Sequence, residues 1–246
     1  ALLFKIFADI DVFDIEIGTK DIDAFIETVK NIAPTFGGIN LEDIKAPESF
    51  EIERRLVEEL NIPVMHDDQH GTAIISSAAL LNALELAGKN SQDVRVVISG
   101  AGSAALACAN LYILLGVQVQ NIIMFDKDGV LSSERTDLSD LQKKYSRGKK
   151  GTTLHEALVD ADVFLGLSAG NILTSEMLLG MAKDPIVFAM ANPTPEIDYN
   201  VAIATKKVPL CWYNLVSVLD AINWFWKVVQ YVYFKPDLQK KSGRSR

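Results

Sequence analysis

Two patterns of hydrophobic residues alternate along this chain. Short, continuous apolar runs, typical of buried strands, are separated by longer segments in which apolar residues recur at the spacing of one helix face. The runs lie at residues 61–65, 93–99, 121–125, 163–167 and 186–190, and the helical segments at 22–31, 48–60, 72–86, 103–115, 154–158 and 174–181. This alternation predicts an α/β fold with a doubly wound parallel sheet.

Residues 1–30 are predicted to form a strand, a turn and a helix. The strand signal comes from the apolar run at 1–7 and the alternating run at 12–17. Asp21 stands directly before the helical segment, where a carboxylate can accept hydrogen bonds from the free N–H groups of the first turn. We therefore expect this helix to begin at residue 22.

Composition and charge narrow the possible functions. The chain has 246 residues and a formal net charge of −8, and no basic block precedes its last dozen residues. Nucleic acid is therefore not an expected partner, because its binders usually present a basic face. Two cysteines, Cys108 and Cys211, make no disulfide framework, and the N-terminal run lacks the basic residues of a signal peptide. These features predict a protein of the cytoplasm or another reducing compartment, such as an organelle matrix.

A glycine turn joins the run at 93–99 to the helical segment that follows. The first glycine permits a tight turn, the second lets the backbone approach a pyrophosphate, and the helix N-terminus offers free N–H groups. This context predicts dinucleotide binding, although a purely structural turn would show the same residues. The candidate cofactor-binding residues are Gly100, Ala101, Gly102, Ser103, Ala104 and Ala105, with the alanine at 105 in place of a third glycine.

Asp126 is the candidate ribose-binding residue. It ends the next apolar run, 26 positions after Gly100. A carboxylate there accepts hydrogen bonds from ribose hydroxyls and repels a 2′-phosphate, which favours NAD over NADP. The adjacent Lys127 keeps NADP as an alternative cofactor.

Two acidic pairs, Glu42-Asp43 and Asp67-Asp68, also lie where apolar runs end. The carboxyl ends of strands form the edge of an open α/β sheet where ligands bind. Four carboxylates there would repel one another, and a bound Mg²⁺ or Mn²⁺ would relieve that repulsion. The alternative is that these carboxylates bind no metal and are ordinary solvated surface residues. The flanking His66 and His70 are expected to bond to backbone or lie at the rim rather than bind metal.

Asn192 follows the run at 186–190 and precedes Pro193, which enforces an extended turn. An amide held there can pair with a carboxamide or a carboxylate. Ordinary turn chemistry explains the same two residues, so this motif alone does not decide between them.

Together these segments resemble malic enzymes, the oxidatively decarboxylating malate dehydrogenases, and most of all their shorter, bacterial-type branch. The resemblance covers about residues 1–197 and is specific, because several independent motifs occur in the same order. It rests on APTFGGINLEDIKAPESFEIERRL (33–56), IPVMHDDQHGTA (62–73), VVISGAGSAALA (96–107), MFDKDGVL (124–131) and DPIVFAMANPTPEI (184–197).

The resemblance implies roles for the candidate residues. Glu42, Asp43 and Asp68 would coordinate Mn²⁺ or Mg²⁺, and Asp67 would belong to the catalytic network beside the metal. The turn at 100–105 would hold the pyrophosphate, and Asn192 would lie at the nicotinamide and substrate side.

The implied activity is the oxidation and decarboxylation of L-malate to pyruvate and CO₂, with NAD preferred over NADP. Residues 1–66 would be part of an α/β substrate and metal domain, and 67–205 a Rossmann-like dinucleotide domain. The resemblance also implies a homo-oligomer.

The chain departs from the family pattern at its start. The family's catalytic lysine immediately precedes the segment that matches the ALLF run, and its catalytic tyrosine lies further upstream. The chain begins at Ala1 and contains neither. We therefore expect a fragment that itself turns over poorly. The alternative is a non-catalytic relative that binds NAD and metal.

Residues 206–246 match nothing in the family that we can align, and they contain all three tryptophans of the chain. Three interpretations remain open: an amphipathic helix, a membrane segment that tethers an interaction protein, and a shifted reading frame or misassigned exon. Asp220 and Lys227 argue against the membrane segment, because charges are costly in mid-bilayer.

Overall fold

The computed structural model describes residues 4–6 and 9–205 of the chain. Its contacts divide these residues into two compact units, and the division falls between Gly71 and Thr72. The predicted features of residues 206–246 lie outside the described residues. Among the helices that are described, none has the length and apolar character needed to cross a membrane.

The first unit contains a two-stranded parallel sheet and two amphipathic helices. Its elements are α1 (Ile22–Ile32), β1 (Ile39–Leu41), α2 (Glu48–Glu59) and β2 (Val64–His66), with a 3₁₀ turn at Ala33–Thr35. Apolar side chains from all four elements form one core: Ile26, Val29, Leu41, Ile52, Leu56 and Val64. A long helix, α3 (Asp67–Ala87), starts directly after β2.

The N-terminal predictions have different outcomes. Helix α1 is confirmed: the Asp21 side chain caps it by accepting a hydrogen bond from the Ala24 N–H at 2.8 Å. The predicted strand is wrong, because residues 4–6 are helical and residues 9–20 form neither strand nor helix. Phe13 and Ile15 remain 72% and 49% exposed, so the alternating run has no buried face.

The second unit is built on a five-stranded sheet. Its strands are β3 (Val96–Ser99), β4 (Ile122–Asp126), β5 (Gly129–Val130), β6 (Val163–Gly166) and β7 (Ile186–Ala189). Its further helices are α4 (Ser103–Leu114), α5 (Asp140–Lys143), α6 (Leu154–Leu158), α7 (Ser175–Gly180) and α8 (Tyr199–Thr205), with a 3₁₀ turn at Val119–Asn121.

The strand order is β5-β4-β3-β6-β7, and only β5 is antiparallel to its neighbour. All residues of β3, β6 and β7 are buried, as expected for a sheet that is covered on both faces. The chain leaves the central β3 towards β4 and returns on the other side at β6. The crevice at the carboxyl ends of β3 and β6 is therefore the topological switch point, where ligands bind in such sheets. This confirms the predicted doubly wound α/β fold.

Two boundaries differ from the predicted ones. Helix α3 starts at Asp67 rather than at residue 72, because no glycine or proline separates β2 from the helix. The second acidic pair therefore lies in a first helical turn, where the helix dipole favours negative charge. Strand β5 was not predicted, since two residues are too few to show a pattern.

Candidate nucleotide and metal sites

Gly100 occupies a position that only glycine can fill without strain. Its φ is +121°, and a Cβ there would lie 2.5 Å from the carbonyl oxygen of Leu167. Its N–H donates to the carbonyl of Phe125 at 2.8 Å. The turn therefore closes tightly over the carboxyl end of β3, as the sequence predicts.

Gly102 leaves open space in front of helix α4. It is the N-cap residue, and a Cβ built on it would meet no atom within 4 Å. The 12-residue helix begins at Ser103 with no side-chain hydrogen bond at its N-cap. Free N–H groups and the positive end of the helix dipole thus face open space, which leaves room for a negatively charged group to approach. The residues present fit a dinucleotide pyrophosphate.

Glu196 joins the two loops that follow β6 and β7. It is fully buried, and it accepts hydrogen bonds from the N–H groups of Ser168 at 3.2 Å and Ala191 at 3.0 Å. Burial raises the pKa of Glu196, and these N–H groups oppose the shift. Ser168 also meets Ser99, with 2.8 Å between the two hydroxyl oxygens, so β3 belongs to the same arrangement.

Sequence reasoning missed the role of Glu196. The available signal was an acidic residue in a loop after an apolar strand, combined with a glycine inside β6. Asn192, the residue that the sequence singled out in this loop, directly follows Ala191 and is exposed. It lies at the same carboxyl edge of the parallel strands as Gly100.

Asp126 lies at the end of β4, as the sequence predicts, but its carboxylate is already paired. Its two oxygens accept hydrogen bonds from the two terminal nitrogens of Arg135, at 2.7 and 2.8 Å. The Asp128 N–H also donates to Asp126 Oδ1, at 2.9 Å. No pattern in the sequence predicts that Arg135 pairs with Asp126, because the intervening loop has no regular pattern.

The candidate metal residues lie at the carboxyl edge of the small sheet in the first unit. Strands β1 and β2 are parallel, and Leu41 is paired with His66. The residues that follow, Glu42 and Asp67, therefore leave the sheet side by side.

Electrostatics show that the four carboxylates are near neighbours. The pKa of Glu42 is raised by its burial and by the charges of Asp67, Asp68 and Asp43, whereas a 2.9 Å hydrogen bond from Asn40 opposes the shift. The pKa of Asp67 is raised by burial and by Asp68. Concentrated negative charge on hard oxygen atoms fits a divalent cation such as Mg²⁺ or Mn²⁺.

These carboxylates do not converge on a single point. Within the described part of the chain, one group of three acidic side chains has oxygens that all lie within 4.8 Å of one another: Asp126, Asp128 and Asp137. Two of its members, Asp126 and Asp137, pair with Arg135, which already supplies a positive charge there. The residues predicted as metal ligands lie close together, but their oxygen atoms do not all lie within 4.8 Å of one another.

Two supporting residues of the acidic edge were also missed. Gly71 leaves room for Asp67 one helical turn earlier, since a Cβ at 71 would lie 2.6 Å from Asp67 Oδ1. A glycine inside a helix, four residues after an acidic residue, was the available signal. Glu53 of α2 accepts hydrogen bonds from the His66 N–H at 2.8 Å and the Gln69 amide at 3.0 Å.

The expectation for the histidines is confirmed for His66. Its Nε2 lies 3.1 Å from the backbone oxygen of Ile44, so the ring bonds to backbone. The Nε2 of His70 lies 2.8 Å from the Glu53 carboxylate. Glu53 thereby links α2 to the first turn of α3.

Two family models match this chain in consecutive order. Residues 18–57 match the malic enzyme N-terminal domain, and residues 69–206 match the malic enzyme NAD binding domain. The second match alone spans more than half of the chain. The chain belongs to the malic enzyme family.

Curated relatives named NAD-dependent malic enzyme and others named NADP-dependent malic enzyme are both similar to this malic enzyme family member. The NAD-dependent malic enzyme of Rhizobium meliloti is 53% identical over 84% of the chain. The NADP-dependent malic enzyme of Escherichia coli is 54% identical over 80%. The NAD-dependent malic enzyme of Thermotoga maritima, a solved structure, superposes with a TM-score of 0.81 at 42% identity.

The chain matches only part of these relatives. It spans 27% of the Rhizobium protein and 26% of the Escherichia coli protein. The alignment with the Thermotoga structure covers 88% of this chain and 58% of that one.

Proposed function

We propose that this chain carries the nucleotide and metal sites of an enzyme that oxidatively decarboxylates L-malate to pyruvate and CO₂. The observation that carries the proposal is the tight turn at Gly100 and the unobstructed start of α4 at Gly102, at the switch point of a doubly wound sheet. Membership of the malic enzyme family supplies the reaction class, and the relatives' names support a nicotinamide cofactor.

The turn at residues 100–105 would hold the dinucleotide pyrophosphate. The free N–H groups at the start of α4 suit its negative charge, and Gly102 leaves the approach clear. Asn192, at the same sheet edge, would contact the nicotinamide or the substrate through its amide. NAD is the cofactor that we propose, because Asp126 ends β4, the place where such sheets carry the acidic residue that meets the adenosine ribose of NAD.

Glu42, Asp43 and Asp68 would hold Mg²⁺ or Mn²⁺. A bound divalent cation supplies a positive charge that polarises a substrate oxygen and stabilises the negative charge that develops on it. Asp67, whose pKa is raised by burial and by Asp68, would hold or release a proton at its carboxylate beside the substrate. Gly71 keeps the space for that carboxylate clear.

The domain assignment is part of the same proposal. Residues 1–66 would belong to the substrate and metal domain and residues 67–205 to the dinucleotide domain. The family matches at 18–57 and 69–206 support this division. A homo-oligomer is the proposed state of assembly, which sedimentation equilibrium would test.

The test is a titration of the purified chain with NADH and, separately, with MnCl₂. Both are expected to bind, whereas malate oxidation by the chain itself is expected to be slow, with NADH and pyruvate formed in equal amounts. Failure to bind Mn²⁺ would contradict the metal site, and unequal amounts of the two products would contradict the reaction class. The absence of NADH binding would contradict the whole proposal.

A further inference from the structure

Arg135 lies between two carboxylates at the end of strand β4. Its terminal nitrogens donate to both oxygens of Asp126, at 2.7 and 2.8 Å. Its Nε donates to Asp137 Oδ1 at 3.1 Å, and its Nη2 also contacts Asp137 Oδ2. Every nitrogen of the guanidinium is therefore bonded to a carboxylate.

The two carboxylates differ in exposure. The side chains of Arg135 and Asp126 are 14% and 17% exposed, so this pair is largely withdrawn from water. Asp137 is 58% exposed and reaches the guanidinium from the solvent side. Asp137 can therefore be changed with little effect on the core, whereas Asp126 and Arg135 cannot.

Under the proposed function, this triad would lie beside the 2′-position of the adenosine ribose. In the proposed function, Asp126 receives that ribose, and the 2′-position distinguishes NADP from NAD. A guanidinium is a strong partner for a phosphate, since its N–H groups can donate two parallel hydrogen bonds. The outer edge of Arg135, formed by Nε and Nη2, is held by Asp137.

We propose that Asp137 helps to set the cofactor preference by withholding Arg135 from the 2′-phosphate of NADP. This inference rests on the proposed function and extends it. Asp126 alone would repel the phosphate, but its charge is offset by the guanidinium. The second carboxylate restores a net negative charge to the triad and occupies the edge that a phosphate would need.

Replacing Asp137 should therefore shift the chain towards NADP. In Asp137→Asn the outer edge of Arg135 loses its charged partner and becomes available to a phosphate. The ratio of NADPH to NADH affinity should rise by roughly three- to tenfold, as expected for one largely exposed charged contact. The double variant Arg135→Lys/Asp137→Asn should show a smaller rise, because lysine keeps the positive charge beside Asp126 but lacks the planar guanidinium that donates two parallel hydrogen bonds.

Asp140→Asn is the matched control. Asp140 lies three positions further along and is 95% exposed, and it pairs with Lys143 at 2.7 Å rather than with Arg135. The Asp140→Asn substitution also removes one negative charge, from the surface near Asp137. Its affinity ratio should stay at the wild-type value.

The experiment is a fluorescence titration of the full chain and these variants with NADH and with NADPH. A rise in the ratio for Asp137→Asn that exceeds those of the other variants supports the inference. An unchanged ratio for Asp137→Asn, or an equal rise for Asp140→Asn, overturns the inference and leaves the proposed function standing. A wild-type chain that binds neither dinucleotide overturns the proposed function and the inference with it.

Discussion

The carboxylate of Glu196 occupies the space that a side chain at residue 166 would need. A Cβ on Gly166 would lie 2.5 and 2.6 Å from its two oxygens. Glu196 is fully buried, and its oxygens accept hydrogen bonds from the Ser168 and Ala191 N–H groups. One carboxylate thus connects the loops after β6 and β7, and it requires a glycine in β6.

Gly166→Ala should lower the free energy of unfolding by about 1–3 kcal/mol, because the methyl group overlaps the buried Glu196 carboxylate, which must shift away from its hydrogen-bond donors. Urea denaturation would measure the change. Gly180→Ala is the control, since a Cβ at Gly180 meets nothing within 4 Å. Equal stabilities for the two variants would contradict this prediction, because they would show that the Glu196 carboxylate moves aside with no loss of free energy of unfolding.

Glu196 should also leave a signature in the pH dependence of stability. Burial raises its pKa in the folded state, so the folded chain binds this proton more tightly than the unfolded chain. The stability that Glu196 contributes is then fully present below the ordinary glutamate pKa and is lost as the pH rises through the raised value. Glu196→Gln cannot titrate. The free energy of unfolding of the wild type, minus that of Glu196→Gln, should fall from acidic to neutral pH. Urea denaturation across this range would measure it, and a difference that grows with pH would contradict the assignment.

The acidic edge of the first unit should bind Mn²⁺ through specific carboxylates. Asp68→Asn and Glu42→Gln should each weaken Mn²⁺ binding by at least about tenfold, because each removes a proposed ligand. Electron paramagnetic resonance of the free ion would measure this. Glu27→Gln removes an exposed carboxylate of α1 that lies 3.8 Å from Lys30, and its affinity should equal that of the wild type. Equal losses in all three variants would indicate a general charge effect instead of a site.

Local features of the fold could be predicted from the sequence. A β-branched run that leads into Gly100 and Gly102 specifies a strand, a tight turn and a helix, and the structure contains all three. Asp21 caps its helix as expected, because a cap depends only on residues within the next turn. The predicted N-terminal strand failed because a strand also needs a partner, which the pattern at 12–17 does not reveal.

The residues that sequence reasoning missed act through distant neighbours. Glu196 meets Gly166 across 30 positions, and their contact exists only after β6 and β7 have paired. Arg135 reaches Asp126 through a loop without periodicity. Such contacts depend on how the chain packs, whereas the Gly100 turn is encoded in adjacent residues. The roles of Asn192 and of the four carboxylates remain predictions.

The most direct test of the proposed dinucleotide site is a titration with NADH of the wild-type chain and of Gly102→Val. The space in front of Gly102 is open, so valine should leave the circular dichroism spectrum unchanged and, as a poorer N-cap, should lower the free energy of unfolding by about 1 kcal/mol at most, while its side chain enters the space proposed for the pyrophosphate. Wild type should bind NADH, Gly102→Val should bind it at least about tenfold more weakly, and Gly180→Val should bind it like the wild type. NADH binding by Gly102→Val that equals the wild type would contradict the account.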